Sequence, residues 1–63
     1  MSPAARIRVV VADDHPLFRE AVARTVRERP EFELVAEAED GRAALDAIRE
    51  LRPDVAVLDV KMP

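Results

Sequence analysis

The sequence predicts an α/β fold in which three short parallel strands alternate with two helices. The apolar runs Ile7–Ala12 and Val55–Leu58 are short and rich in β-branched residues, which is typical of buried strands in a parallel sheet. Both runs end in acidic residues, Asp13–Asp14 after the first and Asp59 after the second. Helical patterns with short connections separate the strands, so right-handed crossovers and a parallel sheet are the expected topology.

The first helix is expected to follow the first strand almost directly. Pro16 suits a first helical turn, Asp14 is the predicted N-cap, and Pro30 marks the end of the helix. An apolar stripe at helical spacing is predicted to face the sheet. It consists of Leu17, Phe18, Ala21, Val22, Thr25 and Val26, and the polar side carries Arg19, Glu20, Arg24 and Arg27.

The second strand differs from the other two in its polarity. Phe32–Ala38 begins with polar alternation, which favours a half-covered edge strand. Crossover handedness permits the spatial orders 2-1-3 and 1-2-3, and the polarity of this strand favours 2-1-3. Asp40–Gly41 forms the following turn, and a second helix runs from Arg42 until Pro53 ends it. The apolar stripe of that helix is Ala44, Leu45, Ile48 and Leu51.

Composition limits the classes of function. Sixty-three residues allow one small domain, and 49% apolar with 37% charged residues is typical of a globular chain. A net charge of −3 gives no electrostatic reason for this segment to contact nucleic acid. The absence of cysteine excludes disulfides and thiolate metal sites. Residues 1–6 are predicted to be a flexible leader. With no secretory signal or membrane span in the sequence, a cytoplasmic protein without a membrane partner is expected.

The acidic residues predict a ligand site. In the order 2-1-3, the carboxyl ends of the first and third strands meet at the edge where α/β sheets bind ligands. Asp13, Asp14 and Asp59 would then crowd together, and like charges repel unless a cation lies between them. Mg²⁺ suits such a site because it takes oxygen ligands, and Asp59 would be close enough to attack a phosphorus atom held there. Since Mg²⁺ prefers oxygen, His15 is assigned a surface or loop role.

Three segments carry a resemblance to a known family. Val11–Glu20, Glu37–Gly41 and Pro53–Pro63 resemble the receiver domain of bacterial two-component response regulators. The sequence of Asp13–Arg19 is similar to that found in the subclass whose output is a LuxR-type helix-turn-helix domain. The resemblance implies a flavodoxin-like, three-layer α/β fold, truncated here to β-α-β-α-β with strand order 2-1-3. Residues 7–63 would be the N-terminal portion of the receiver domain.

The resemblance also implies roles for individual residues. Asp59 would be the phosphoacceptor, and a histidine kinase would be the phosphodonor. Asp13, Asp14 and Asp59 would bind Mg²⁺ together with the backbone carbonyl of Lys61. The protein would be a switch in a phosphorelay rather than an enzyme. DNA would be contacted only through the output domain, which is absent from this segment, in transcription regulation.

Two alternative functions compete with the phosphorelay switch, and the first follows from departures from the family pattern. A family receiver has five strands, with a hydroxyl residue ending the fourth and a lysine ending the fifth, and this chain contains neither strand. The half-domain is therefore alternatively an interaction module that cannot be phosphorylated. Because the third strand is too apolar for an exposed edge, we expect either that the 63 residues are an excerpt of a longer folded protein, or that they assemble as a homodimer or swapped pair joined near that strand. A phosphohydrolase is disfavoured because such enzymes carry aspartate two residues after the nucleophile, where this chain has Lys61.

Overall fold

The computed structural model describes residues 6–59 as three strands alternating with two helices. The elements are β1 (Ile7–Asp13), α1 (Pro16–Arg27), β2 (Phe32–Ala38), α2 (Gly41–Leu51) and β3 (Val55–Asp59). All pairings are parallel, and the sheet order is β2-β1-β3. The predicted strand order 2-1-3 is therefore confirmed. None of the helices within residues 6–59 is both long and apolar enough to cross a membrane.

β1 is the central strand and provides most of the core. Its residues from Val9 to Asp13 are buried, as expected for a strand paired on both sides. Successive side chains of a strand point to opposite faces, so Val11 and Ala12 belong to different faces. On one face, Val9, Val11 and Val26 pack together with Val22, Phe32 and Leu34; on the other, Ala12, Ala38 and Ala44 pack with Ala43. Because α1 and α2 thus cover opposite faces, the predicted three-layer arrangement is confirmed.

Side chains fix both ends of α2. The one at the amino end is adjacent in sequence, and the one at the carboxyl end comes from β1. Asp40 is its N-cap, with Oδ1 accepting a 2.7 Å hydrogen bond from the Ala43 amide. At the other end, Arg8 Nη1 donates to the Leu51 carbonyl at 2.6 Å. Arg8 lies near the start of β1, so this bond joins the central strand to the carboxyl end of α2, where a positive charge is favourable.

Several residues of the predicted apolar stripes are not covered within residues 6–59. In α1, Val26 is buried, but Leu17 is 75% exposed and Phe18 is 60% exposed. Thr25 is also exposed, and its hydroxyl donates back to the Ala21 carbonyl. The prediction that Leu17, Phe18 and Thr25 face the sheet is wrong, because α1 presents a narrower contact surface than its apolar content suggests. The apolar residues of β3 are likewise exposed: Val55 by 45%, Val57 by 38% and Leu58 by 56%.

Candidate functional site

The pairing of β1 with β3 brings two of the predicted site residues together. Asp13 and Asp59 are partners in the last register position of the two strands. Neighbouring strands lie about 4.8 Å apart, so the two carboxylates leave the sheet from adjacent positions at its carboxyl edge. Asp13 is only 4% exposed, whereas Asp59 is exposed. The edge therefore combines one enclosed acid with one that a solvent-borne reactant can reach.

Asp13 is the one charged residue that the described part of the chain buries. Its Oδ1 accepts a 2.8 Å hydrogen bond from the backbone amide of His15. A buried carboxylate requires such partners, because its loss of hydration is otherwise costly. The bond uses only part of the acceptor capacity of the carboxylate, which has about four lone-pair sites. Asp13 is thus anchored and still able to accept a further ligand.

The turn between β1 and α1 differs from its predicted form. The sequence predicted Asp14 as the N-cap of α1, but the cap is His15, whose Nδ1 accepts from the Phe18 amide at 3.4 Å. The prediction was wrong because the His15 amide donates to the Asp13 carboxylate, and the helix starts one residue later than predicted. Pro16 occupies the first turn as predicted. Asp14 is exposed and is left for a role outside the helix cap.

An open cleft lies over this edge of the sheet. Its volume is about 300 Å³. It is lined by Asp13, Asp14, His15, Phe18 and Asp59. The three acidic residues predicted from the sequence therefore share one cleft, together with the imidazole that the sequence assigned to a surface or loop role. Lys61, the fourth predicted metal ligand, lies outside the described residues.

The donor set of the cleft fits a hard divalent cation. Carboxylate oxygens are the preferred ligands of Mg²⁺, which usually keeps several waters and needs only one or two protein carboxylates. Within residues 6–59, no three side chains of the His, Cys, Asp or Glu types already form a group that would hold a metal ion. Magnesium binding by Asp13, Asp14, Asp59 and Lys61 thus stays a prediction, supported here by the chemistry of the donors.

Arg19 is a neighbour of the cleft that the sequence did not identify. The pattern placed it on the polar side of α1, yet its Nη1 donates a 3.0 Å hydrogen bond to the backbone carbonyl of Asp13. Its Nε lies 3.9 Å from Glu37 Oε1 on β2, and the other oxygen of Glu37 accepts from Arg27 Nη2 at 2.7 Å. The only sequence signal was a cation five residues after Asp14, and this spacing does not reveal a contact with a backbone atom.

Known proteins of similar sequence point to the same kind of domain as the fold and the acidic cleft do. The family model of the response regulator receiver domain matches residues 9–63. The probable transcriptional regulatory protein NarL of Mycobacterium tuberculosis is 53% identical over 58 residues, which are 92% of this chain and 27% of that protein. A protein-glutamate methylesterase/protein-glutamine glutaminase 2 of Anaeromyxobacter dehalogenans is 56% identical over 57 residues, 90% of this chain and 17% of that protein.

A solved structure matches as well. The signal receiver domain of the putative response regulator NarL from Mycobacterium tuberculosis has a TM-score of 0.87 and 53% sequence identity to this chain. The match covers 92% of this chain and 47% of that one. The chain spans about a quarter of the length of the first curated relatives that it matches. Since the family model covers most of its residues and a closely similar structure shares its fold, the chain belongs to the response regulator receiver domain family.

Proposed function

We propose that this chain supplies the phosphoacceptor half of a receiver domain, in which Asp59 accepts a phosphoryl group from a histidine kinase. The observation that carries the proposal is the register of Asp13 with Asp59 beneath a cleft that Asp14 also lines. Asp59 is held at the end of a strand and is exposed, so a phosphohistidine on another protein has access to it. Such a combination of fixed position and access is what an in-line displacement requires.

The proposed step is a phosphoryl transfer between two proteins. One carboxylate oxygen of Asp59 forms a bond to phosphorus while the phosphorus–nitrogen bond of the phosphohistidine breaks. The electron pair of that bond returns to the imidazole of the kinase, and Asp59 becomes an acyl phosphate. Asp13, Asp14, Asp59 and the Lys61 carbonyl would hold Mg²⁺, which supplies neutralisation of the charge on the phosphoryl oxygens.

The residues of the chain have separate tasks in this step. Asp13 is fixed by the His15 amide and so presents its remaining acceptor sites from a constant position. Asp14 is exposed beside it and adds a second negative charge to the cleft. The acidic pair attracts a cation and, without one, opposes the approach of a phosphoryl dianion to Asp59. The cleft would thus make phosphorylation dependent on a bound cation.

The remainder of the receiver domain would complete the site. The family resemblance assigns a hydroxyl residue and a lysine to later strands, where they bind the phosphoryl oxygens. The NarL receiver structure is about twice as long as the part that this chain matches. Preorganised donors of this type usually lower the barrier by a few kcal/mol each. We therefore propose that these 63 residues bind the cation but need the later strands for efficient phosphotransfer.

The output would be control of transcription. A curated relative is described as a probable transcriptional regulatory protein, and the wording of Asp13–Arg19 is similar to the subclass with a LuxR-type output domain. In this proposal a separate output domain contacts DNA, and the acidic receiver segment does not. The chain would contact both the histidine kinase and, through the output domain, DNA in the cytoplasm. Phosphorylation would bias a two-state element of the complete domain.

An interaction module is the second candidate function. The exposed apolar residues of the edge strand β3, Val55, Val57 and Leu58, favour it. An unpaired apolar edge is a template for pairing with another chain. In this case the segment would form a homodimer or swapped pair through β3, and the acidic cleft would have no part in phosphate chemistry.

Phosphorylation with a small donor tests the primary proposal. The experiment uses the 63-residue chain and a chimera in which the second half of the NarL receiver domain follows it, each incubated with acetyl phosphate and Mg²⁺. Intact-mass spectrometry is expected to show addition of one phosphoryl group to the chimera and a negligible amount on the chain alone. Asp59→Asn should abolish the addition. Equal phosphorylation of the Asp59→Asn chimera, or efficient phosphorylation of the 63 residues alone, would contradict the proposal.

A further inference from the structure

We infer that Arg19 is a positioning residue, which holds the peptide between Asp13 and Asp14 in the orientation that presents the acidic pair to the cleft. The inference rests on the proposed function for the role of Asp13 and Asp14 in cation binding. The positioning role of Arg19 rests on geometry. Arg19 Nη1 donates to the Asp13 carbonyl at 3.0 Å. That oxygen belongs to the planar peptide unit that links the two aspartates. Fixing the oxygen restricts the rotations that set the directions of both side chains.

The position of Asp13 explains why this bond matters. The pairing of β1 with β2 ends at Ala12 and Ala38, one residue before Asp13, whereas the pairing with β3 continues to Asp59. Asp13 is therefore held by a strand on one side only. The Arg19 guanidinium reaches the Asp13 carbonyl from α1, beyond the end of the β2 ladder. Hydrogen bonds from a charged donor are stronger than those between neutral groups, so this contact restrains a turn that the sheet leaves half-supported.

Arg19 is itself held in place on both sides. Its backbone amide donates to the His15 carbonyl at 2.9 Å, which begins the hydrogen bonding of α1. Its side chain is only 22% exposed, and its Nε lies 3.9 Å from Glu37. Glu37 in turn accepts a 2.7 Å bond from Arg27. Ion pairs at such partly exposed positions contribute little stability, so we assign the effect of Arg19 to its bond with Asp13 rather than to Glu37.

Two matched variants separate positioning from general stability. Arg19→Met and Arg27→Met each remove a guanidinium that faces Glu37, but only Arg19 contacts Asp13. The first measurement is hydrogen exchange of the His15 amide by NMR in the full chain without metal, because that amide is bound to Asp13 Oδ1 and reports the geometry of the turn. Arg19→Met is expected to speed this exchange on the order of fivefold, as loss of one hydrogen bond would. Arg27→Met should leave it unchanged.

The second measurement is the Mg²⁺ dissociation constant by calorimetry. Arg19→Met should weaken binding on the order of tenfold, as loss of a group that orients metal ligands does, and Arg27→Met should not. Arg19→Lys, which keeps a charged donor, should restore part of both effects. Unchanged exchange of the His15 amide in Arg19→Met, or equal changes in Arg19→Met and Arg27→Met, would overturn the inference. If the parent chain binds no Mg²⁺ while the selective change in exchange is found, the positioning role is supported and the proposed metal site fails.

Discussion

Asp13 and Asp59 are register partners at the last paired position of β1 and β3, and one of the two carboxylates is buried while the other is exposed. Neighbouring strands lie about 4.8 Å apart, so the two side chains leave the backbone from adjacent positions at the sheet edge. Two unit charges at a separation of this order repel by about 1 kcal/mol even in the dielectric of bulk water. We therefore expect the pairing to cost stability unless a cation offsets it, so that a bound cation would stabilise the folded chain.

The first prediction concerns Mg²⁺ binding. The double variant Asp14→Asn, Asp59→Asn should lose measurable Mg²⁺ affinity, because removal of two of the three anions removes most of the attraction for the ion. In the absence of Mg²⁺ the variant should be as stable as the parent chain or more stable, by about 1 kcal/mol, since the repulsion is relieved. Calorimetric titration and urea unfolding with and without Mg²⁺ measure both effects.

Asp46→Asn is a suitable control for that experiment. Asp46 is exposed on α2, and its contact with Arg42 is a long surface ion pair of 3.9 Å, which contributes little stability. Its replacement changes the net charge without touching the cleft. Equal Mg²⁺ affinity in the double variant and in the parent chain would show that the carboxyl edge of the sheet is not the cation site.

The second prediction compares two aspartates that precede helices. Asp40→Ala should lower the free energy of unfolding by about 1 kcal/mol, because it removes the 2.7 Å N-cap bond to the Ala43 amide. Asp14→Ala should be neutral or slightly stabilising, because His15 is the cap of α1 and the cleft loses one of its like charges. Urea unfolding followed by circular dichroism gives both values. A larger loss for Asp14→Ala than for Asp40→Ala would contradict the capping arrangement.

These two caps also show what the sequence could determine. The strand ends were predictable because short apolar runs have sharp boundaries, and a parallel sheet brings their carboxyl ends to one edge. The cap of α1 was not predictable, because two neighbouring residues, Asp14 and His15, are both capable of capping. The choice depends on the hydrogen bond from the His15 amide to Asp13, which exists only in the folded chain. The contact of Arg19 with the Asp13 carbonyl was hidden for the same reason.

The apolar stripes show a different limit of the sequence. Helical periodicity predicted that Leu17 and Phe18 pack against the sheet, and both are largely exposed. Periodicity identifies a surface that avoids water but not the element that covers it. In α1 the small residue Ala23, which the stripe did not include, is fully buried instead. The size of the side chain that fits between helix and sheet is a property of the packing and is not encoded in the period.

The third prediction concerns the end of α2. Arg52 adopts the left-handed conformation at the C-cap, with φ 48° and ψ 61°. This region costs a residue with a Cβ about 1–2 kcal/mol, whereas glycine adopts it freely at the expense of more chain entropy. Arg52→Gly is therefore expected to raise the free energy of unfolding by about 0.5–1 kcal/mol. The bond from Arg8 to Leu51 does not involve the Arg52 side chain and should persist.

The matched control is the same substitution within the helix. Arg49→Gly places glycine in α2 itself, where it should lower the free energy of unfolding by about 1 kcal/mol. Opposite signs for the two variants in urea unfolding are the expected result. Destabilisation by Arg52→Gly as large as that by Arg49→Gly would mean that the left-handed conformation of Arg52 is not maintained in solution.

The last prediction tests whether β3 drives self-association. Val55, Val57 and Leu58 are exposed on an edge strand, and a lysine on such a strand opposes edge-to-edge pairing. We expect the 63-residue chain to associate as its concentration rises, and Leu58→Lys to shift this association to higher concentration. Leu17→Lys introduces the same charge at a more exposed apolar residue of α1, away from β3, and should have little effect. Light scattering over a concentration series, with circular dichroism to confirm folding, measures the difference. Equal effects of the two lysines would indicate general hydrophobic association rather than pairing through β3. A folded parent chain that stays monomeric at every concentration would rule out the interaction module and leave the acidic cleft as the functional part of the segment.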